Sequence, residues 1–97
     1  MVLCFIVDQS IAWLKYPLRR RGFIVFAPGE DFPIDAGHAE LLEYARRTGC
    51  VVVSHARFFE GEDAAVYVPL RWDRRYNSWD LVTKIVKLAA RAARAKH

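Results

Sequence analysis

Amide side chains are almost missing from this 97-residue chain: Gln9 and Asn77 are the only two, and Met1 is the only methionine. Thermolabile residues are depleted in this way in heat-adapted proteins, and the preponderance of Arg over Lys points weakly the same way, so the composition predicts a thermophile. No apolar run approaches the roughly 20 residues that cross a bilayer, which argues against a membrane helix. The opening MVLCFIV is apolar but ends at Asp8. It has no basic stretch before it and no small-residue cleavage site after it, and so reads as a buried strand rather than a signal peptide. The expected compartment is the cytoplasm. Cysteine is scarce too. Cys4 and Cys50 form no CxxC pair, so the spacing argues against zinc. The expectation is two small buried hydrophobes, as free cysteines usually are. The alternative is a disulfide between neighbouring strands, a bond that intracellular proteins of hyperthermophiles accept.

Several functional motifs are also lacking. No GxGxxG follows the first strand and no GxxxxGK[ST] occurs, so neither a dinucleotide site nor a phosphate loop is indicated. There is no GxSxG elbow. A phosphoacceptor domain would carry a second Asp after the third strand, where Ser54 stands. His38, His55 and His97 lack the spacing of metal ligands.

What is present is ordinary for one globular domain: 54% hydrophobic and 27% charged residues, with a net charge of +4 that favours anionic partners, nucleic acid first. Residues 2–7 are continuously apolar, as in a central parallel strand covered on both faces. Asp8-Gln9-Ser10 then offers caps for a helix over 11–21, stopped by Gly22 and disturbed by Pro17, which predicts a kink or a second helical start. A short strand at 23–26 precedes a Pro- and Gly-rich loop at 27–37. Residues 38–48 form a helix with Leu41, Leu42 and Ala45 inward and Glu40, Glu43, Arg46 and Arg47 outward. Strands follow at 50–53 and 64–70, separated by a charged turn at 54–63. A loop at 71–77 and a Ser78 cap lead into a last helix from residue 79. The order βαβαββα predicts an α/β fold with a parallel sheet of about four strands.

Ligands of such sheets sit at the carboxyl ends of the strands. That rule selects Asp8, Ser54 and His55. A carboxylate at the end of a central strand suits Mg²⁺ or Mn²⁺, or else it caps helix N–H groups. His55 is a candidate acid or RNA contact, with a structural role as the commoner alternative.

The stretches VDQS, LRRRGFIV, HAELLEYARRTG and VVVSHARFF, over roughly residues 2–59, resemble the short PIN-like domains of prokaryotes related to toxin ribonucleases. Those domains carry Asp-Glu-Asn after the first strand, an Arg-rich turn and Gly, a helix of the type Asp-x-x-Ile-x-x-x-Ala-x-x-x-Gly, and Thr-x-Asp-x-Asp-Phe after the next strand. The resemblance implies a PIN-like three-layer fold and a metal-dependent endoribonuclease with Mg²⁺ or Mn²⁺ held by carboxylates. Asp8 matches the first carboxylate and Ser54 the family's Thr or Ser. Glu40, with Asp35 as substitute, is the candidate for the second carboxylate. The family's next positions read Gln9 and Ser10 here, and its two later Asp positions read Ala56 and Phe58, neither of which can ligate a hard cation. Glu60, Glu62 and Asp63 lie just downstream as possible replacements. Two functions follow: a ribonuclease, with an antitoxin as a possible partner, or an inactive PIN-like domain that binds RNA or a protein.

Two surfaces suit nucleic acid. Lys84, Lys87, Arg91 and Arg94 form one stripe of the last helix beside Leu81, Ile85, Leu88 and Ala92, with the solvated face of an amphipathic core helix as the commoner alternative to phosphate contact. Arg71, Arg74 and Arg75 interleave with Trp72 and Tyr76, as in single-strand binding by charge and stacking. Alternatively, Trp72 and Trp79 cover the sheet edge or form a dimer surface. So small a domain gains stability from a partner, so a homodimer is expected.

Overall fold

A computed structural model describes residues 3–95. Four strands form one all-parallel sheet: β1 (Cys4–Val7), β2 (Ile24–Phe26), β3 (Val51–Ser54) and β4 (Ala65–Tyr67), in the order β2-β1-β3-β4. The helices are α1 (Lys15–Arg20), α2 (His38–Thr48), α3 (Trp72–Arg75) and α4 (Ser78–Ala95). Strand residues alternate between two cores because successive side chains point to opposite faces. Phe5, Val7, Val51, Val53 and Val66 meet Leu14, Leu18, Leu81, Val82 and Ile85 on the face covered by α1 and α4. Ile6 and Val52 meet Leu41, Leu42 and Ala45 of α2 on the other. The result is an α/β fold with helices on both faces of the sheet, as the apolar runs of β1 and β3 predict for its two central strands.

The expected helix over 11–21 divides. Gln9–Leu14 is a 3₁₀ segment with a non-helical residue at Ile11 (φ −137°), and α1 starts only at Lys15. Pro17 thus stands in the first turn of α1, where its missing N–H has no partner to lose. Pro17 marks the second helical start and the break falls at Ile11. The expected strand over 64–70 shortens to Ala65–Tyr67. The predicted loop over 71–77 contains α3, one turn long. The last helix is capped by Asn77 rather than Ser78: Asn77 Oδ1 accepts the Asp80 N–H at 2.8 Å. β3 and β4 are joined without a covering α-helix. A 3₁₀ turn (Arg57–Phe59) makes the crossover, and its fully buried Phe59 packs with the α2-side core.

Cys4 and Cys50 are joined in a disulfide, so the expectation of two free buried thiols is overturned. The register explains the bond. β1 and β3 pair Phe5 with Val51, Ile6 with Val52 and Val7 with Val53. One step back along the same register stands Cys4 beside Cys50, both on the α2 side.

The β2 edge is held by Arg19. Its Nη2 donates to Val25 O at 2.9 Å and to Glu30 Oε2 at 3.0 Å, and Lys15 Nζ lies 3.5 Å from Glu30 Oε1. The Arg19 hydrogen bond is the main cause that holds the Glu30 carboxyl below its ordinary value. A depressed carboxyl stabilises the fold above its unfolded-state pKa, and that contribution is lost as pH falls through the lowered one. The clamp is exposed and its share of stability is small.

Two outcomes are expected. Without reductant the unfolded chain shows no free thiol by thiol titration. The Cys4→Ala/Cys50→Ala double variant melts roughly 10–20 °C lower, since a loop of this length is constrained by about 2–4 kcal/mol. Unchanged melting would mean that the bond constrains nothing the sheet does not already hold. Separately, Glu30→Gln removes that contribution: it lowers stability slightly at neutral pH, converges with the native chain at low pH, and so flattens the acid limb of the stability profile. An acid limb identical to that of the native chain would count against the Arg19 clamp.

Candidate functional site

The carboxyl ends of β1 and β3 hold the polar residues of the sheet. Asp8 N donates to Val53 O at 3.0 Å, which carries the β1–β3 pairing one residue past the strand. The register then sets Asp8 beside Ser54, both on the α2 side. They are the two buried polar residues among the described ones: Asp8 is 7% exposed and Ser54 0%. Ser54 Oγ donates to Asp8 Oδ2 at 2.7 Å, and Ser10 Oγ donates to the same oxygen at 2.9 Å. Each hydroxyl also accepts from the backbone: Ala56 N–H to Ser54 Oγ at 2.9 Å, and His55 N–H to Ser10 Oγ at 3.3 Å. Two peptide N–H groups thus reach the carboxylate through two hydroxyls. A burial that would be costly for a bare carboxylate is compensated by charge-assisted bonds. Asp8 occupies the cap position before the 3₁₀ segment, yet its side chain caps no helix N–H.

Ser54 and Asp8 meet as expected, but His55 turns elsewhere. Its Nδ1 lies 2.7 Å from Val68 O, so Nδ1 carries the proton of that bond, and Nε2 lies 3.4 Å from Asp73 Oδ2. His55 therefore ties the end of β3 to the chain beyond β4 and to α3. No Ser–His–Asp relay forms among the described residues, and the buried Ser54 hydroxyl donates to Asp8 instead.

The other expected ligands stand apart from this network. Glu40 is exposed in the first turn of α2. It lines a cavity of about 190 Å³ with Phe32, Pro33, Ala36 and Tyr44. Asp35 is exposed in the preceding loop. Among the described residues no three Asp, Glu, His or Cys side chains gather where a metal ion could be held. Glu62 and Asp63 do not replace the missing carboxylates. Arg46 of α2 holds them at 3.2 and 3.7 Å, in the last turn before β3 begins and therefore at the opposite edge of the sheet from Asp8. The donor set at Asp8 does not fit a two-metal centre, which needs clustered oxygen ligands.

Sequence reasoning passed over His38 as a member of this edge. It is the first residue of HAELLEYARRTG, where the PIN-like helix pattern opens on Asp, and that alignment was the available signal. Its ring lies 5.6 Å from Phe58 and 5.4 Å from Phe59. An aromatic cluster thus fills the place where the resemblance would put acid groups.

The basic residues divide by environment. Arg71, Arg74, Arg75, Lys87 and Arg91 are exposed. Lys84 is half-buried, with Nζ 5.0 Å from the Trp72 ring and 5.6 Å from Tyr76. Trp72 and Tyr76 themselves pack on the α4-side core and cover it. Leu81 and Ile85 of the expected apolar stripe are buried, joined by Val82 and Ala89. The Arg94 side chain lies outside the described residues, as do residues 1, 2, 96 and 97.

The network predicts a graded loss of stability. Asp8→Ala strands two hydroxyl donors, one of them fully buried, and is expected to cost about 1–3 kcal/mol in urea unfolding. Asp8→Asn keeps an acceptor for both and costs clearly less. Equal losses for the two variants would show that the hydroxyl network is not what holds the strand ends. Compared with protein-family models, with curated proteins and with solved structures, the chain matches none of them.

Proposed function

We propose that the chain is a PIN-like domain that binds RNA without cutting it. The observation that carries this reading is the company of Asp8: its Oδ2 is taken by two serine hydroxyls, and no second carboxylate joins it among the described residues. Hydrolysis by bound Mg²⁺ or Mn²⁺ calls for several oxygen ligands around the ion. The positions that would supply them read Ala56 and Phe58. The RNA partner is supported by the charge of +4 and by the exposed Arg71, Arg74, Arg75, Lys87 and Arg91.

A second reading keeps the activity: a Mg²⁺- or Mn²⁺-dependent endoribonuclease related to the toxins of toxin–antitoxin pairs. Asp8, Asp35 and Glu40 would be its ligands, with Ser54 and His55 beside the phosphate. One observation favours it. Asp8 Oδ1 receives no hydrogen bond among the described residues, so one lone-pair face of a strand-end carboxylate is free. In this reading an antitoxin is the natural protein partner. A homodimer suits either reading, given the exposed Ile24, Ile34 and Leu70. No described helix is long and apolar enough to cross a membrane. We place the chain in the cytoplasm of a heat-adapted cell, where an intracellular disulfide such as Cys4–Cys50 is tolerated.

Calorimetry with Mn²⁺ on the native chain and on Asp8→Asn separates the two. We expect no metal binding by the native protein, and no cleavage of a labelled RNA that it retains in a gel-shift assay. Mn²⁺ binding that vanishes in Asp8→Asn would instead establish an acidic site at the strand end and favour the nuclease.

A further inference from the structure

Trp79 is the most exposed large apolar side chain among the described residues, 70% accessible. It is nevertheless held in place. The Arg21 guanidinium lies over its ring with Cζ 4.0 Å from the centroid. Arg21 Nη2 donates to Trp79 O at 3.2 Å and to Thr83 Oγ1 at 2.9 Å. Arg21 is the cap residue just after α1, and Trp79 and Thr83 belong to the first turns of α4, so the clamp joins the two helices and orients the ring.

Beside the ring runs a groove of about 350 Å³, lined by Pro17, Arg20, Arg21, Ser78, Trp79 and Val82. Its walls carry two guanidinium groups and no carboxylate. Arg19, one residue earlier, is spent on Glu30 and Asp31. Arg20 has no ion-pair or hydrogen-bond partner among the described residues. Tyr16, one helical turn before Arg20, is 63% exposed. The groove is not part of the Asp8 edge: Arg21 stands just before the start of β2, whereas Asp8 follows the end of β1.

We propose that this groove binds single-stranded nucleic acid, with an unpaired base stacked on the face of Trp79 that Arg21 leaves open and the neighbouring phosphate on Arg20. Every base has a π-face, so a fixed tryptophan beside a free guanidinium recognises a strand without reading its sequence. Arg21 stiffens the platform by occupying its other face. Charge argues against a second copy of this chain as the occupant, because like surfaces would bring Arg20 and Arg21 against their own kind. The proposal rests on the RNA-binding reading above and gives it a location.

The test is fluorescence anisotropy with a labelled oligouridylate and a labelled oligothymidylate, titrated at low and at rising salt. The proteins are the native chain, Trp79→Ala, Trp79→Phe and Arg20→Glu, with a labelled polyglutamate as an acidic-peptide control. Melting curves verify that each variant is folded, as expected for exposed positions. The native chain is expected to bind both oligonucleotides. Trp79→Ala weakens binding about tenfold, and Trp79→Phe retains most of it. Arg20→Glu weakens binding and makes it less salt-dependent, since one phosphate contact is removed. If the native chain binds while Trp79→Ala and Arg20→Glu bind equally well, the groove proposal falls and RNA binding stands on another surface. If the native chain binds neither oligonucleotide, both fall. Polyglutamate binding as tight as oligonucleotide binding, lost with Trp79, would make the occupant an acidic protein and overturn the proposal.

Discussion

The pairing of β1 with β3 is the constraint on which the rest of the structure depends. One parallel register runs through both ends of these strands. At the start it brings Cys4 to Cys50, and at the finish it brings Asp8 to Ser54, each pair 46 residues apart in sequence. Between them lie Phe5, Ile6, Val7, Val51, Val52 and Val53, all buried. A slip of one residue in either strand would turn all of that strand's side chains to the opposite layer. It would also separate both pairs. The disulfide and the carboxylate–hydroxyl bond therefore fix, covalently at one end and by polar contact at the other, a register that the apolar residues already favour.

The same pairing decides the chemistry of the sheet's carboxyl edge. Ser54 and Ser10 are gathered around Asp8, and peptide N–H groups of the following turn are gathered behind the hydroxyls. The network stabilises a buried charge and stitches the strand ends together. Around it, His55 is drawn to Val68 O and Asp73, and His38 packs on Phe58 and Phe59. Of the residues expected at a hydrolytic centre, Asp8, Ser54 and His55 are engaged in holding the chain together, Ala56 and Phe58 are apolar, and Asp35 and Glu40 stand exposed and apart. Two of the three carboxylates the sequence offers in compensation, Glu62 and Asp63, are bound by Arg46 at the far edge. Among the described residues this edge presents aromatic and polar side chains rather than a cluster of carboxylates.

Much of this was legible in the sequence for identifiable reasons. The runs FIV and VVV announce central strands because only a strand covered on both faces stays apolar without alternation. The helix at 38–48 follows from Leu41, Leu42 and Ala45 and from Gly49, whose φ of 76° ends it. Asp8 was identifiable because a strand-end carboxylate stands out after an apolar run. Asn77 as the cap of α4 was missed because Ser78 is an equally good capping residue, and only the helix start separates them. Pro17 was expected either to kink one helix or to mark a second helical start, and the second holds: it stands in the first turn of α1, where a proline disrupts nothing, and the non-helical residue is Ile11.

Composition and pattern by themselves determined the α/β class, the four strands, the two central ones and the basic character of the chain. They did so because burial on one or two faces leaves a direct imprint on residue order. The tertiary structure alone decided which distant residues touch. Free thiols or a disulfide at Cys4 and Cys50, a metal cluster or a lone hydrogen-bonded carboxylate at Asp8, a covering or an exposed role for each tryptophan: all depend on register and helix packing. Those are set by the sum of many weak contacts across the whole core, and no short stretch of sequence carries them.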